Sequence, residues 1–150
     1  MEKLLRQALP SRQFVAVPVS RSNAMRAIRG KGNRSTEWRA RMKLVRSKIT
    51  GWTMNNATLP GKPDIFFPRE RVAIFLDGCF WHGCPRCGHI PRTNSRFWRL
   101  KLMNNRRRDT KNADRMRRAG ISVVRLWEHR LTGNGWIKVV KTKLHRRRRG

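Results

Sequence analysis

The chain has 150 residues, of which 37 are lysine or arginine and 8 are aspartate or glutamate, for a formal net charge of +29. This length suffices for one compact domain with a modest core. So large a positive charge opposes compaction unless a polyanion neutralises it, which makes nucleic acid the expected partner. No apolar run approaches the about 18 residues of a membrane-spanning helix. The first ten residues also lack a signal-peptide hydrophobic segment, so we expect a cytosolic, nucleoid-associated protein without membrane contacts.

The chain opens with a basic arm that leads into a helix. Residues 1–34 are punctuated by Ser, Gly and Asn, and we expect them to stay irregular until they meet nucleic acid. Residues 35–50 are predicted to form the first helix, with Ser35 as its N-cap and Glu37 in the favourable first turn. Gly51 ends this helix. The apolar residues that recur at helical spacing are Trp38, Met42, Val45 and Ile49.

Three strand-like runs follow. Residues 52–59 are a weak candidate, whereas residues 64–68 and 71–77 are rich in β-branched and aromatic side chains. The short turn sequence Pro-Arg-Glu-Arg joins the last two runs. We therefore predict that these two runs pair as an antiparallel hairpin.

The second half alternates loop, helix and strand. A cysteine-rich loop over residues 77–89 precedes a long helix over residues 95–119, with Gly120 as its C-cap. Residues 121–127 are predicted to form one more buried strand, and residues from 133 onward a basic, mobile tail. The whole is expected to be α/β, with a mixed central sheet flanked by helices. The predicted division is a basic arm (1–34), a core (35–132) and a basic tail (133–150).

The acidic residues are rare, so their positions are informative. Asp64 begins one strand of the predicted hairpin and Asp77 ends the other, which brings both carboxylates to one edge of the sheet. Asp109 lies on the stripe of the long helix that otherwise faces the core, where a charge must find a partner or line a site. Glu70 is expected to be an ordinary surface charge. Carboxylates clustered beside DNA hold Mg²⁺, whereas the alternative is that each acid forms a salt bridge with a nearby base.

The three cysteines lie within nine positions, a spacing that favours a metal site over disulfides in a reducing compartment. Cys84 and Cys87 form a C-x-x-C knuckle and Cys79 precedes them. Zinc takes four nitrogen or sulfur ligands, so one ligand is missing locally. Either His89, which is near in sequence, or His129, at the end of the last strand, can supply it. The alternative is three free, buried cysteines.

Two large aromatic residues and a histidine lie between the first cysteine and the knuckle. Phe80 and Trp81 cannot both point into the core from a tight loop, and an exposed aromatic on a basic protein commonly stacks on bases. The alternative is that Trp81 covers the metal site. His82 lies near the acids and is not needed for zinc, so it is a candidate general base or phosphate contact.

Several segments resemble the very-short-patch-repair (Vsr) family of DNA mismatch endonucleases. The resembling segments are LPGKPD (59–64), DGCFWHGC (77–84), RTNSRFW (92–98), NNRRRD (104–109), GISVVRLWE (120–128) and the N-terminal RSNAMRAIRGKGNRSTE (21–37). The match runs in order over roughly residues 21–132. It implies a restriction-endonuclease-like fold with a structural zinc site. It also implies a Mg²⁺-dependent nick 5′ to the thymine of a T:G mismatch left by deamination of 5-methylcytosine.

The resemblance also implies roles for single residues. Asp64 matches the catalytic aspartate that binds Mg²⁺, and His82 matches the active-site histidine. Glu37 matches the acid at the helix start, and Asp109 the acid of the long helix. Where the best-known members have Thr-His before Gly-Cys, this chain has Leu76-Asp77, which makes Asp77 a further candidate in the catalytic set.

DNA contacts and zinc ligands follow from the same match. Phe80 and Trp81 match the aromatic wedge inserted beside the mismatch, and Met25 matches an intercalating methionine, with Arg26 beside it as a DNA contact. The four positions of the structural zinc are Cys79, Cys84, Cys87 and His129. This assignment exchanges His and Cys at two positions, which zinc tolerates, and it excludes His89.

Three functions stay open. The first is a mismatch-nicking repair enzyme that acts as a monomer on double-stranded DNA. The second is a homing-type or mobile-element endonuclease with the same acids and histidine but another DNA target. The third is a basic zinc protein that binds nucleic acid without cutting it. The full acid set disfavours the third, because binding needs none of it.

Overall fold

A computed structural model describes residues 5–9 and 34–149. It contains three helices longer than one turn and four strands over these residues. The helices are α1 (Arg34–Arg46), α2 (Ser95–Arg118) and α3 (Gly135–Arg149). The strands are β1 (Thr53–Met54), β2 (Ile65–Phe67), β3 (Val72–Asp77) and β4 (Ser122–Trp127). A short 3₁₀ turn, Glu128–Arg130, follows β4.

The strands form one mixed sheet in the order β1-β2-β3-β4. The β2–β3 pair is antiparallel, with Ile65 opposite Ile74, as the hairpin prediction required. β4 is parallel to β3, with Phe75 opposite Arg125 and Asp77 opposite Trp127. A parallel pair needs a long crossover, and α2 supplies it. The predicted mixed α/β architecture is therefore confirmed, while the restriction-endonuclease-like fold stays an expectation.

The two faces of the sheet carry different helices. One face packs against α1 and α3 through a core that includes Leu44, Ile74 and Val140. The other face packs against the end of α2, where Phe75 meets Met116. Because successive strand residues point to opposite faces, alternate side chains of β3 and β4 face α2.

Helix α1 buries a different face from the predicted one. Ala40 and Leu44 are fully buried, whereas Trp38 is 61% exposed and Val45 is 54% exposed. The predicted stripe began from the largest apolar residue, but the sheet surface accepts the smaller alanine, and the true stripe is offset by about half a turn. The prediction of a helix is confirmed, and so is the burial of Ile49, which lies just past the end of α1; the predicted burial of Trp38 and Val45 is wrong.

The expectation of a mobile C-terminal tail is also wrong. Residues from Gly135 form helix α3, and four of its apolar residues at helical spacing are buried in the core. They are Trp136, Ile137, Val140 and Leu144. Burial of such a stripe stabilises the helix by roughly 25 cal/mol per Å² of apolar surface removed from water. The run of arginines at its end concealed this amphipathic pattern.

Glu70 holds the end of this helix, so its assignment as an ordinary surface charge is wrong. Its side chain is 5% exposed and accepts a 2.7 Å hydrogen bond from Arg148 Nε.

Strand β4 is less buried than expected, because Leu126 is the one residue of this strand that is buried. No helix in the described ranges is long and apolar enough to cross a membrane.

Candidate active site and metal site

The sheet brings Asp64 and Asp77 to the same end. The backbone N–H of Leu76 donates to Asp64 Oδ2 at 2.7 Å, which fixes the carboxylate beside the end of β3. Helix α1 brings Glu37 to the same place, where its Oε2 accepts from Asn55 Nδ2 at 3.1 Å. The hairpin therefore places the two aspartates together, as predicted, and the start of α1 adds a third acid.

Burial and the neighbouring acids alter the titration of Asp64. Loss of hydration raises the pKa of Asp64 to about 6, and the charges of Glu37 and Asp77 push it in the same direction. The hydrogen bond from Leu76 opposes this rise. A carboxyl held among like charges gains stability from a bound cation, so this group of acids is a candidate metal site.

Asp77, Arg125 and Asp109 form one network on the α2 face of the sheet. Arg125 Nε and an Nη of the same guanidinium donate to the two oxygens of Asp77, both at 2.6 Å. The same Nη reaches Asp109 Oδ2 at 3.0 Å. The guanidinium of Arg125 also makes a cation–π contact with Phe75, whose ring centroid is 5.2 Å from Arg125 Cζ. Both carboxylate oxygens of Asp77 thus accept hydrogen bonds, and its side chain is only 4% exposed.

His82 joins this network through Asp109. Its Nδ1 lies 2.5 Å from Asp109 Oδ2 and 3.8 Å from Asp77 Oδ1. When Nδ1 donates to the carboxylate, Nε2 is the ring nitrogen left to accept a proton or to contact a phosphate. The predicted meeting of His82 with the acid of the long helix is therefore present in the structure.

The charges around Asp109 keep it ionised. Burial acts to raise the pKa of Asp109, but the hydrogen bond from His82 and the charges of His82, Arg125 and Arg108 outweigh it and lower that pKa. Burial likewise acts to lower the pKa of Arg125, and its contacts with Asp77 and Asp109 raise it. Asp109 and Arg125 therefore both stay charged near neutral pH.

The loop that carries His82 is held from α2. Arg106 donates to the carbonyl oxygens of Gly83 and His82, and Asn105 Nδ2 donates to Trp81 O at 3.0 Å. Gly83 has a φ of 62°, and a Cβ there would lie 2.5 Å from an Nη of Arg106. Only glycine satisfies both the left-handed backbone and the close approach of that guanidinium.

An open cleft of about 500 Å³ lies beside the network. It is lined on one side by His82, Gly83 and Pro85 and on the other by residues of α2, among them Asp109. Arg106, Arg117 and Arg125 contribute positive charge to its walls. Asp64 and Glu37 do not line this cleft. The arrangement presents a histidine and a row of cations to a phosphate that enters it.

Three thiols and one imidazole meet where the loop after β3 faces the turn after β4. The ligand atoms of Cys79, Cys84, Cys87 and His129 all lie within 4.8 Å of one another. His129 Nδ1 is 3.2 Å from Cys79 Sγ, 3.7 Å from Cys84 Sγ and 3.4 Å from Cys87 Sγ. Tetrahedral ligands about 2.3 Å from a common ion are separated by roughly 3.8 Å. The group therefore can hold a metal ion.

The thiols constrain one another. Hydrogen bonding with Cys79, with burial second, raises the pKa of Cys87 to about 12. A divalent cation among these groups would stabilise the thiolates and so favour deprotonation of the cysteines. His89 is not part of the group; its ring packs at a tilt against Phe80, with centroids 5.7 Å apart.

Phe80 and Trp81 belong to an aromatic group at the start of α2. The ring centroid of Phe80 lies 5.0 Å from that of Trp81 and 5.2 Å from that of Trp98, both in edge-to-face geometry. Both residues are half-buried. Leu5 and Leu9 extend the group by packing against Phe97. The other two predicted DNA contacts, Met25 and Arg26, lie outside the described residues.

Sequence reasoning missed Arg125 as a site residue. It stands in the middle of the apolar run Ser-Val-Val-Arg-Leu-Trp, and arginine is almost never buried in such a run unless it is paired. The alternation of β4 places it on the α2 face, level with Phe75 and next to the end of β3. These two facts together were sufficient to pair it with Asp77.

The sequence matches the family described as "DNA mismatch endonuclease Vsr" over residues 15–87. It is 33% identical over 123 residues to the type II nicking enzyme V.XorIIP of Xanthomonas oryzae pv. oryzae, which covers 81% of this chain and 88% of that enzyme. It is 35% identical over 120 residues to the DNA mismatch endonuclease Vsr of Escherichia coli, which covers 76% of this chain and 72% of that enzyme.

A further relative is matched over a shorter region. The chain is 44% identical over 84 residues to the type II nicking enzyme V.NaeI of Lentzea aerocolonigenes, which covers 56% of this chain and 51% of that enzyme. The chain thus spans about half the length of V.NaeI, and it covers 54% of the nicking enzyme V.NmeAIP of Neisseria meningitidis.

Proposed function

This chain belongs to the Vsr family of DNA mismatch endonucleases, and on that premise we propose that it is a Mg²⁺-dependent endonuclease acting on double-stranded DNA. In this proposal it nicks one strand at a T:G mismatch left by deamination of 5-methylcytosine. The supporting observation is the group of Asp77, Asp109 and His82 at the same end of the sheet as Asp64, whose carboxyl feels the charges of Asp77 and Glu37. Acids at this density repel DNA, so a protein that only bound DNA has no use for them.

The acids at the start of β2 suit a hard divalent cation. Asp64, whose pKa is raised to about 6 by burial and by Glu37 and Asp77, is the group that gains most from a neighbouring positive charge. We assign Mg²⁺ to Asp64 as the direct ligand, with Glu37 acting through water or by positioning its neighbours. Bound there, Mg²⁺ would neutralise phosphate charge and promote ionisation of a water molecule.

His82 is assigned to the proton transfer or to the scissile phosphate. The 2.5 Å contact from Nδ1 to Asp109 orients the ring and leaves Nε2 available. The Arg106 and Asn105 contacts to the loop backbone restrict its motion. A rigid imidazole costs little entropy when substrate arrives, which favours general-base catalysis or a fixed phosphate contact.

Arg125 is assigned as a positioning residue. It donates to both oxygens of Asp77 and to Asp109, so it fixes the carboxylate that orients His82. Asp77 is correspondingly unsuited to a direct metal contact, because both of its oxygens already accept hydrogen bonds from one guanidinium. We therefore propose that Asp77 holds Arg125, and influences Asp64 through its charge.

The Cys79, Cys84, Cys87 and His129 group is assigned to a structural Zn²⁺. Its donors are three sulfurs and one nitrogen, a set that zinc prefers and that leaves no position open for substrate. It ties the loop after β3 to the turn after β4, and so supports the segment that carries His82. Zinc would thus stabilise the fold and the active-site loop together.

DNA distortion is assigned to the aromatic group. Phe80 and Trp81 are half-buried and stand two residues or fewer from His82, so their insertion beside a mismatch would bring the scissile phosphate to the cleft. Met25 and Arg26 are proposed to contact DNA from the arm. A mismatch lowers the cost of unstacking, typically a few kcal/mol per step, which provides selectivity.

Nicking of defined duplexes tests the function. One 30-base-pair duplex carries a T:G pair in a cytosine-methylation sequence context, and its matched control carries C:G at that position. We expect a single nick in the T strand of the first duplex with Mg²⁺, and none in the second. Equal cutting of both would favour the homing-type alternative, and no cutting of either would favour a zinc protein that only binds nucleic acid.

A further inference from the structure

The end of the sheet opposite to the acids carries a second, strongly basic surface. The β2–β3 turn, the end of α2 and the last turn of α3 meet there. The backbone N–H of Ser122 donates to Arg71 O at 2.8 Å, which joins the turn to the start of β4. We call this the distal basic surface and define it by Arg69, Arg71, Arg118 and residues 146–149, all of them exposed.

Three of its arginines are fixed by the protein itself. Arg71 donates to Ala119 O. Arg147 donates from Nε to Glu70 O at 3.0 Å and from an Nη to Gly120 O at 2.6 Å. Arg148 donates from Nε to the Glu70 carboxylate at 2.7 Å. These contacts satisfy carbonyls at the end of α2, which explains why some cations belong here.

The remaining arginines exceed what this structural role requires. Within the described ranges, the side chains of Arg69, Arg118, Arg146 and Arg149 have no hydrogen-bond or ion-pair partner. The single acid among them, Glu70, is 5% exposed and already paired. Seven exposed arginines on three adjoining segments, with one buried carboxylate, give this end of the sheet an excess of positive charge that a polyanion would neutralise. The surface is therefore suited to an external ligand of high negative charge density.

Its position separates it from the cleft. Strand β3 has six residues, Val72–Asp77, so its two ends are roughly 17 Å apart at about 3.3 Å per residue. The acids lie at one end and the distal basic surface at the other. A duplex seated against His82 that crosses the sheet rather than running along β3 leaves these arginines free, and they can then meet a second duplex or a distant part of the same one.

We propose that the distal basic surface binds a second segment of double-stranded DNA while the cleft is occupied. Duplex DNA carries about one phosphate per 1.7 Å of axis, a charge density that several exposed arginines can neutralise. Arg71, Arg147 and Arg148 are already ordered, which lowers the entropy cost of binding. The surface includes no aromatic or leucine side chain that would enter a lipid headgroup layer, so DNA is the favoured polyanion. This proposal rests on the proposed function only in naming what fills the cleft.

Capture of a second duplex tests the proposal. An immobilised 15-base-pair T:G duplex is loaded with the whole protein in buffer without Mg²⁺, and a labelled 40-base-pair paired duplex is then added. We expect the protein to retain the second duplex. Replacement of Arg69, Arg118, Arg146 and Arg149 by Gln should lower this capture by at least about tenfold, because four phosphate contacts and their counterion release are lost.

A matched variant controls for net charge. Replacing the exposed Arg39, Arg41, Arg46 and Lys48 by Gln removes the same charge from and beside α1, and we expect capture within about twofold of the unmodified protein. Both variants should unfold at the same temperature as the unmodified chain. Because the four distal side chains hold no protein group, nicking of the short duplex with Mg²⁺ should also be unchanged.

Three results would overturn the proposal. These are equal capture by the distal variant, equal loss in both variants, and distal-dependent binding of phosphatidylserine vesicles without capture of DNA. Failure of the unmodified protein to nick the short duplex would count against the proposed function instead. Capture is measured without Mg²⁺ and without cleavage, so the two failures are distinguishable.

Discussion

The two ends of one sheet have opposite electrostatic designs. At the cleft end, Asp77 and Asp109 are both paired with Arg125, whereas Asp64 accepts a backbone N–H and lies near two other acids. At the distal end, one buried acid, Glu70, faces a group of arginines of which several have no partner among residues 5–9 and 34–149. Charges that are fully paired orient groups for chemistry, whereas charges in excess bind a partner. Net charge alone, at +29, does not distinguish these uses.

Loss of a ligand from the Cys79, Cys84, Cys87 and His129 group should have the largest effect, because it should unfold the cleft end of the sheet. Cys84 is 3% exposed and lies within the group that also includes His129. Structural zinc contributes on the order of 10 kcal/mol to small domains. We expect Cys84→Ser to lose zinc and to unfold below room temperature, as followed by circular dichroism and metal content.

His89 provides the control for this prediction. It is exposed and lies outside the metal group, although it neighbours Cys87 in sequence. His89→Ala should retain one zinc per chain and a near-normal melting temperature. If the purified protein contains no zinc, or if Cys84→Ser is as stable as the original chain, the metal does not stabilise the fold.

Replacement of His82 should give the next largest effect, on chemistry but not on binding. General-base assistance is typically worth about 10²–10⁴-fold in rate. His82→Ala should slow nicking by a factor in that range, and Asp109→Asn by roughly 10–100-fold, because the aspartate acts through the histidine. Single-turnover rates on the T:G duplex measure both. The exposed His145 supplies the control, and His145→Ala should nick normally.

Two variants distinguish the contribution of Arg125 to stability from its role in positioning Asp109. Arg125→Gln leaves the buried Asp77 without its partner and should cost about 2 kcal/mol in the free energy of unfolding. A second change, Asp77→Asn, removes the stranded charge and should restore most of that stability. Nicking should stay about 10–100-fold slow in the double variant, because Asp109 still lacks Arg125. Recovery of rate together with stability would make Arg125 purely structural.

Ionisation of Asp64 should lower the free energy of unfolding as the pH rises. The folded pKa of about 6 exceeds the ordinary value of 3.8, so the unfolded chain releases this proton first. Between about pH 4 and pH 6 the folded state binds more protons, and its free energy of unfolding falls; above pH 6 the loss is complete. Asp64→Asn removes the charge and keeps an oxygen that accepts from Leu76.

We therefore expect Asp64→Asn to be more stable than the original chain by roughly 3 kcal/mol above pH 6 without Mg²⁺, and equally stable near pH 4. Urea unfolding across this pH range measures the difference. Added Mg²⁺ should narrow the gap by stabilising the original chain alone. A gap that does not change with pH would show that Asp64 is not held as an unfavourable charge.

The local features of the cleft end were predictable because they depend on short-range pattern. A hairpin between residues 64–68 and 71–77 follows from strand propensity and turn residues, and it alone brings Asp64 beside Asp77. The spacing of the cysteines likewise predicts a metal site. The choice between His89 and His129 was open from spacing, because it depends on the parallel β3–β4 pairing that brings residue 129 back to the loop.

Other features depended on tertiary contacts that the local pattern does not contain. The exposure of Trp38 and the burial of Ala40 follow from the shape of the sheet beneath α1. Helix α3 was hidden because its arginines suggested a solvated tail, whereas Trp136 and Val140 carry the apolar stripe. Arg125 was overlooked because strand propensity dominated its segment. The zinc, the magnesium, the individual catalytic roles and the division into arm, core and tail stay predictions.

One pair of variants tests the proposed active site most directly. Asp64→Asn and the matched Asp114→Asn each remove one acid; Asp114 is an exposed residue paired with Arg117 at 2.9 Å, on the surface of α2. Nicking of the T:G duplex is measured with Mg²⁺, and binding to it by fluorescence anisotropy without Mg²⁺. Asp64→Asn should bind at least as tightly as the original chain and produce no nick, while Asp114→Asn should nick at the normal rate. Nicking by Asp64→Asn at a near-normal rate would contradict the assignment of the active site to this end of the sheet.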